Sequence, residues 1–165
     1  MPNMSVFSGS DASISLSVDH SVEGDKAKGI IDAYSLTPVA RAVNVTLKVS
    51  SDLKPFHEAG QLYPNELKTG NVTITGTIDR AYTNGALLKL LLGDAASGHP
   101  AGAWVQPSFN ITLILNNPAL PGVMSSIVVH GVKFQTWVFG IPEDNLVIEK
   151  VEFIAAWISV DDKMT

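Results

Sequence analysis

The sequence SSIVVHGVKFQTWVFG (125–140), IPEDN (141–145) and LVIEKVEFIAAWISV (146–160) decides the fold of this chain. Two long runs rich in Val, Ile, Phe and Trp flank a cluster with Gly140, Pro142 and Asp144, which is the pattern of a β-hairpin with a loop. Each arm is about twice the usual length of a strand. We therefore predict a long β-hairpin over Ser125–Val160.

The second arm of this hairpin is apolar on both faces. At period two, one face carries Val147, Val151, Phe153, Ala155 and Trp157, and the other carries Ile148, Ile154, Ala156, Ile158 and Val160. A strand that is apolar on both faces must be covered on both. A small protein has little material for this, so we expect neighbours from other chains.

Composition favours a protein with extensive contacts. Charged residues make up 16% of the 165 residues, against about 25% in a typical soluble domain. We therefore expect part of the surface to be hidden between subunits. The formal net charge of -5 disfavours a nucleic-acid binder that holds phosphates, and the absence of cysteine excludes disulfides and thiolate metal sites.

The chain reads as one domain, 1–165, made in the cytoplasm. Residues 1–11 are polar, and we interpret them as a flexible N-terminal segment without a secretion signal. No apolar run approaches the about 20 residues that span a bilayer, which predicts no membrane anchor.

Alternating apolar and polar residues predict further strands. They cover 12–18, 42–49, 71–79 and 107–115. We also predict a turn over Ser21–Lys28 and a strand over Gly29–Leu36. With the long hairpin, this pattern indicates an all-β fold, an antiparallel β-sandwich or partly rolled barrel.

One short helix and one long loop interrupt the strands. The helix starts at Thr83 or Asn84, has a leucine stripe, and ends at Leu92 before Gly93. The segment 51–69, with two prolines and a glycine, predicts a long loop of the kind that is functional or ordered by a partner.

Catalytic and metal-binding patterns are weak. The four histidines stand singly, and no nucleophile elbow occurs. Asp79 beside Arg80 favours a strand-end ion pair or a contact between subunits over a catalytic pair. Glu149 and Glu152 differ by an odd number and point to opposite faces of a strand. We predict neither an enzyme nor a cofactor.

Aromatic residues leave one alternative open. Trp104, with the loop Gly93–Gly102, is a candidate carbohydrate- or peptide-binding site on a monomeric β-sandwich. Trp137 and Trp157 lie in the long hairpin, where core or interface anchors are the simpler interpretation.

Three stretches in this order carry a family resemblance. GNVTITGTIDRAYTNGALLKLLLGD (70–94), PSFNITLIL (107–115) and HGVKFQTWVFGIPEDNLVIEKVEFIAAWIS (130–159) resemble the tail tube proteins of tailed bacteriophages, especially contractile-tailed ones. The same fold is expected in the tubes of contractile injection and secretion systems, so both kinds of machine stay open. The resemblance implies hexameric rings that stack into a hollow tube for genome delivery.

The resemblance also implies surfaces and partners. We expect these residues at subunit interfaces: Val147, Val151, Phe153, Trp157, Trp137, Phe139 and Arg80. The polar residues Asn44, Thr46, Lys48, Thr73, Thr75 and Thr77 face either the lumen or outer solvent. The expected partners are further copies, a sheath, a baseplate or initiator, and a tail terminator, with DNA passing through unbound. The expected location is the virion tail.

Overall fold

The computed structural model describes residues 6–39, 42–117, 119–120 and 122–163. Its strands and helices are β1 (Ala12–Ser17), α1 (Val22–Tyr34), β2 (Ala42–Phe56), β3 (Glu66–Ala81), α2 (Ala86–Leu92), β4 (Phe109–Asn116), β5 (Met124–Gly140), β6 (Ile148–Ala155) and β7 (Trp157–Lys163). Short 3₁₀ turns occupy Gly9–Asp11 and Gly93–Ala96. Of the predicted flexible segment 1–11, residues 1–5 lie outside the described residues.

The seven strands form one antiparallel sheet that curls into a half-barrel. The order is β1-β4-β5-β6-β3-β2, and β7 also pairs with β5. The first half of β5 lies between β4 and β7, whereas its second half pairs with β6. The long strand β5 therefore joins two layers, which confirms the predicted antiparallel, partly rolled fold.

The return arm of the long hairpin is split in two. A bend at Ala156 separates β6 from β7, and the N–H of Ala156 donates to the carbonyl of His130 at 2.9 Å. Opposite the bend, Gly131 has a φ of 65°. A Cβ at Gly131 would lie 2.8 Å from the Cβ of Ala156. Glycine is therefore required where β5 passes from one layer to the other.

Apolar side chains from both layers and both helices meet in one core. Its buried members are Leu16, Ala27, Ile31, Leu36, Ile74, Ile78, Ala86, Leu87, Leu90, Phe109, Ile111, Val129, Val132, Phe134, Val151 and Phe153. Phe109 and Phe134 pack edge to face with ring centroids 4.9 Å apart. Both helices therefore contribute apolar side chains to this core.

Residues 22–34 form helix α1, so the predicted turn over Ser21–Lys28 and the predicted strand over Gly29–Leu36 are wrong. Ser21 caps α1 by accepting a hydrogen bond from the N–H of Gly24 at 2.9 Å. Ala27 and Ile31, four residues apart, both enter the core. With the confirmed helix α2, which ends at Leu92 before Gly93, the described part of the chain has two short α-helices rather than one.

The predicted long loop 51–69 is also wrong. Strand β2 continues to Phe56 and β3 begins at Glu66, so most of this segment is a two-stranded ribbon. Only residues 57–65 form its loop. The register of the ribbon breaks between Ser51 and Leu53, where the regular alternation also stops.

Candidate assembly surfaces

The hairpin arm, residues 51–69, projects beyond the core. Every residue in it is exposed. At its tip, Leu62 and Tyr63 are 84% and 77% exposed. A two-stranded ribbon without a covered face is only marginally stable in water, so the arm needs a partner surface.

Sheet edges are a second uncovered feature. Within the described residues, β2 pairs only with β3, and β7 pairs only with β5. Each therefore leaves an edge of backbone donors and acceptors free to pair with another chain. The edge of β1 differs, because Ser15 forms a bridge with Pro38 and the N–H of Leu16 donates to Thr37 at 2.8 Å.

A buried polar cluster fixes one end of the sheet. Arg80 and Glu149 are almost fully buried, and the Arg80 Nε donates to Glu149 Oε1 at 2.6 Å. Trp137 Nε1 donates to the other carboxylate oxygen at 2.9 Å. The Arg80 guanidinium also donates to the carbonyl of Asn84 at 3.0 Å, and Asn84 Oδ1 accepts from Ala86 N at the start of α2. The cluster ties β3, β5, β6 and α2 together.

Sequence reasoning missed this ion pair. The predicted partner of Arg80, Asp79, lies on the opposite face of β3, whereas the observed partner is 69 residues away. A signal was present, because Arg80 follows Ile74 and Ile78 at period two and Glu149 precedes Val151 and Phe153 in the same way. Two opposite charges in core-facing positions predict a buried pair.

Comparison with solved structures shows which fold this chain has. A chain of the sheath–tube complex of PVC, an extracellular contractile injection system, matches with a TM-score of 0.64 at 10% identity, covering 96% of this chain and 93% of that chain. A chain of the anti-feeding prophage baseplate matches at 0.61 and 14% identity, over 97% of both chains. The SPP1 tail tube matches at 0.59 and 9% identity, over 97% of this chain and 81% of that chain.

This chain has the tail tube fold. No protein-family model and no curated protein sequence matches it. The likeness is therefore one of three-dimensional structure, carried by the arrangement of strands and not by sequence identity.

Within the tail tube fold, the predicted interface residues separate into two groups. Val151, Phe153 and Arg80 are buried inside the chain and have no surface for a neighbour, so their assignment to an interface is corrected. Val151 and Phe153 fill the core because β6 turns its odd-numbered residues inward, and Arg80 does so because this part of β3 turns its even-numbered residues inward.

The other predicted interface residues keep some surface. Val147, Trp137 and Phe139 are half-buried, and Trp157 is 55% exposed. The bend at Ala156 turns Trp157 away from the face that carries Val151. The Trp157 ring instead stacks on His130, with ring centroids 3.6 Å apart. The same region exposes other large apolar side chains: Val138, Ile148, Ile154 and Val160. The half-barrel thus covers one face of the hairpin and leaves the other open.

The predicted lumen residues come together on one face of β2 and β3. Thr46 pairs with Thr77, and Lys48 pairs with Thr75. Asn44, Thr46, Lys48 and Thr73 are exposed, and Thr75 and Thr77 are half-buried. The row continues from Thr77 to Glu152 in β6. We name the part of this surface on β2 and β3 the polar face.

The alternative binding site is not assembled as predicted. Trp104 is 47% exposed and lines a groove of about 600 Å³ with Leu91, Lys133 and Ile154. No residue of the Gly93–Gly102 loop lines that groove. The site predicted for a monomeric carbohydrate- or peptide-binding module therefore retains Trp104 but not the loop.

Neither a metal-binding cluster nor a membrane-spanning helix occurs among the described residues. No group of three or more His, Cys, Asp or Glu side chains is placed to hold a metal ion there. In the same residues, no helix has the length and apolar character needed to cross a membrane.

Proposed function

We propose that this protein is the structural, non-enzymatic subunit of a hollow tail tube. Copies close into hexameric rings, and the rings stack to form a conduit. The observation that carries the proposal is a tail tube fold whose exposed arm and free sheet edges find no cover in their own chain. The low content of charged residues, 16%, supports it, because extensive interfaces exclude charge.

Ring closure uses the free edges of β2 and β7. These edges are different surfaces of one chain, so pairing between copies is heterologous and closes into a ring when the rotation fits. The exposed apolar residues beside them, including Trp157 and Val160, are buried as the ring forms. Six copies per ring are supported by the similar structure of the anti-feeding prophage baseplate, which is six-fold symmetrised.

The polar face lines the channel. Its threonines and Asn44 offer hydrogen-bonding groups without a strong charge, and a chain of net charge -5 has no excess of cations to hold a phosphate backbone. DNA therefore passes through without specific binding in a virion tail. A contractile injection or secretion tube is the alternative machine, and both kinds occur among the similar structures.

The same comparison supports the proposed partners. The similar structures come from assemblies of tube with sheath, from a baseplate and from a tube-terminating cap. We expect this chain to start on a baseplate or initiator protein, to carry a sheath where the tail is contractile, and to end at a terminator.

Sedimentation velocity of the purified chain tests the proposal. We expect a monomer at low concentration and, as concentration rises, a hexamer followed by much larger stacks. A single monomeric species at every concentration, also after addition of the baseplate, would contradict it.

A further inference from the structure

The second half of β5 has a strand partner on one side only. Strands β6 and β7 lie on the same side of β5, because their pairing with it continues in one register across the bend at Ala156. Strand β4 lies on the other side and reaches only as far as the pair of Phe109 with Val132. Within the described residues, no strand pairs with the β4 side of β5 from 134 to 140. Unpaired backbone groups of this kind recruit strands from other chains.

The chain just before β4 lies beside this edge without forming a strand. Pro107 has no N–H and cannot continue the ladder of β4. Pro107 and Val105 pack tightly against the end of α2, because a Cβ at Gly93 would lie 3.0 Å from Pro107 Cδ and 3.1 Å from the Val105 carbonyl oxygen. The N–H of Ser108 donates to the carbonyl of Glu23 in α1 at 3.3 Å. Both helices therefore hold this segment in place.

The side chain of Gln106 supplies the donor that this segment lacks at the edge. Its Nε2 donates to the carbonyl of Phe134 at 2.7 Å, directly beyond the last pair of β4 with β5. A side-chain amide carries the same kind of N–H donor as the backbone. Gln106 thus satisfies an acceptor that a further strand would otherwise use.

The space beside this edge is open. Gln106 lines the groove of about 600 Å³ together with Trp104 and Gln135. Both of these neighbours are exposed. A further strand therefore has access to β5 from this side, and at Phe134 it meets the Gln106 amide.

We infer that Gln106 guards this edge of β5 against pairing with a strand from a second copy of the chain. Every copy offers such strands, because the edges of β2 and β7 are unpaired in the described residues. An incoming strand has to displace the Gln106 amide from the carbonyl of Phe134, so the guard weakens self-association through this edge. The inference goes beyond the proposed ring closure, because it concerns an edge that is kept closed in the free chain.

Two substitutions of Gln106 test the guard. Gln106→Met removes the donor and keeps the length of the side chain, whereas Gln106→Asn keeps the amide but shortens its reach by one methylene. Sedimentation velocity of the dilute chain measures self-association. We expect the association constant to rise by about three- to tenfold in both variants, because a neutral hydrogen bond no longer has to be broken. Circular dichroism shows that each variant is folded.

Hydrogen exchange locates the association, and a neighbouring glutamine provides the matched control. In the associated fraction of both Gln106 variants, the backbone amides of 134–140 should exchange more slowly than in the monomer. Gln135→Met makes the same chemical change at an exposed side chain of the same groove and should associate as the unaltered chain does. Gln106→Lys keeps a donor at the guard position and should also associate as the unaltered chain does.

Four results overturn the inference. They are folded Gln106→Met and Gln106→Asn variants that associate no more than the unaltered chain, an equal rise in Gln135→Met, an equal rise in Gln106→Lys, or association without protection of 134–140. Failure of the proposed function is a different observation, because the unaltered chain would then form neither rings nor tubes at high concentration, whereas the guard is measured on the dilute chain.

Discussion

Glu149 keeps the buried charge of Arg80 compensated, and this makes it the most sensitive polar residue of the core. Glu149→Gln keeps the size of the side chain but removes its charge. We expect the free energy of unfolding to fall by about 3–5 kcal/mol, because Arg80 remains buried beside a neutral amide. Urea denaturation of the dilute, unassembled chain measures the change.

The exposed ion pair between Lys26 and Asp94, at 2.7 Å, is the matched control. Asp94→Asn breaks it at the surface, where such pairs contribute at most about 1 kcal/mol. If the two substitutions lowered the free energy of unfolding equally, the buried cluster would not have the role assigned to it.

Gly131 is the second residue with a specific prediction. Gly131→Ala combines a positive φ with a close approach to Ala156, so we expect a loss of about 1–3 kcal/mol in the free energy of unfolding. Gly140→Ala in the same strand meets nothing within 4 Å and should stay within about 0.5 kcal/mol of the unaltered chain. Thermal unfolding of both variants measures the difference in stability. A Gly131→Ala variant as stable as the unaltered chain would show that the bend tolerates a side chain.

These residues also explain what the sequence could and could not predict about side chains. Strict alternation places Val151, Phe153 and Trp157 on one face, but the bend at Ala156 shifts the parity before Trp157. A bulge between Phe134 and Thr136 shifts it again in β5. Apolar residues of both parities therefore reach the core, which makes the hairpin look more two-faced in sequence than it is in the structure.

At the scale of elements, regular alternation of apolar and polar residues predicted the strands correctly. Segments in which the alternation is interrupted were predicted wrongly. The strands around Val45, Ile74 and Ile111 were predicted from period two, and α2 from its leucines and Gly93. Helix α1 was missed because Gly24 and Gly29 disfavour a helix locally. The local cap at Ser21 and a tertiary contact, the salt bridge of Glu23 with Lys133 at 3.0 Å, compensate for them.

The hairpin arm was predicted as a loop because Pro55, Gly60 and Pro64 are typical of turns. Gly60 and Pro64 belong to the loop at its tip. Pro55 lies in a strand with one free edge, where a missing N–H costs little. We interpret the arm, now seen as a ribbon instead of a loop, as a candidate contact between stacked rings, and this interpretation is a proposal.

Shortening the arm separates its role from that of the core. Residues 55–67 are replaced by Asn-Gly, which joins the cross-strand partners Lys54 and Lys68 by a two-residue turn. Because no residue from 51 to 69 is buried, the free energy of unfolding should change by less than about 1 kcal/mol. Tube formation should be lost while single rings persist. Denaturation and microscopy give the two readouts, and tubes of normal length would contradict the role of the arm.

At the scale of the whole molecule, the half-barrel is incomplete as a single copy. One face of the long hairpin packs into the core with the helices, whereas the opposite face exposes Val138, Ile154 and Trp157. The tail tube fold was predictable from the resemblance of stretches 70–94, 107–115 and 130–159 to tail tube proteins, and the low charge content agrees with it. The contacts between subunits could not be predicted, because they join surfaces of different copies and leave no periodic pattern in the sequence of one chain.

Electron microscopy of the purified, concentrated chain tests the central claim most directly. We predict rings of six copies around an open channel, stacked into hollow tubes, with the hairpin arm reaching between successive rings. Solid aggregates or isolated monomers in every field, with and without a baseplate to start assembly, would contradict it.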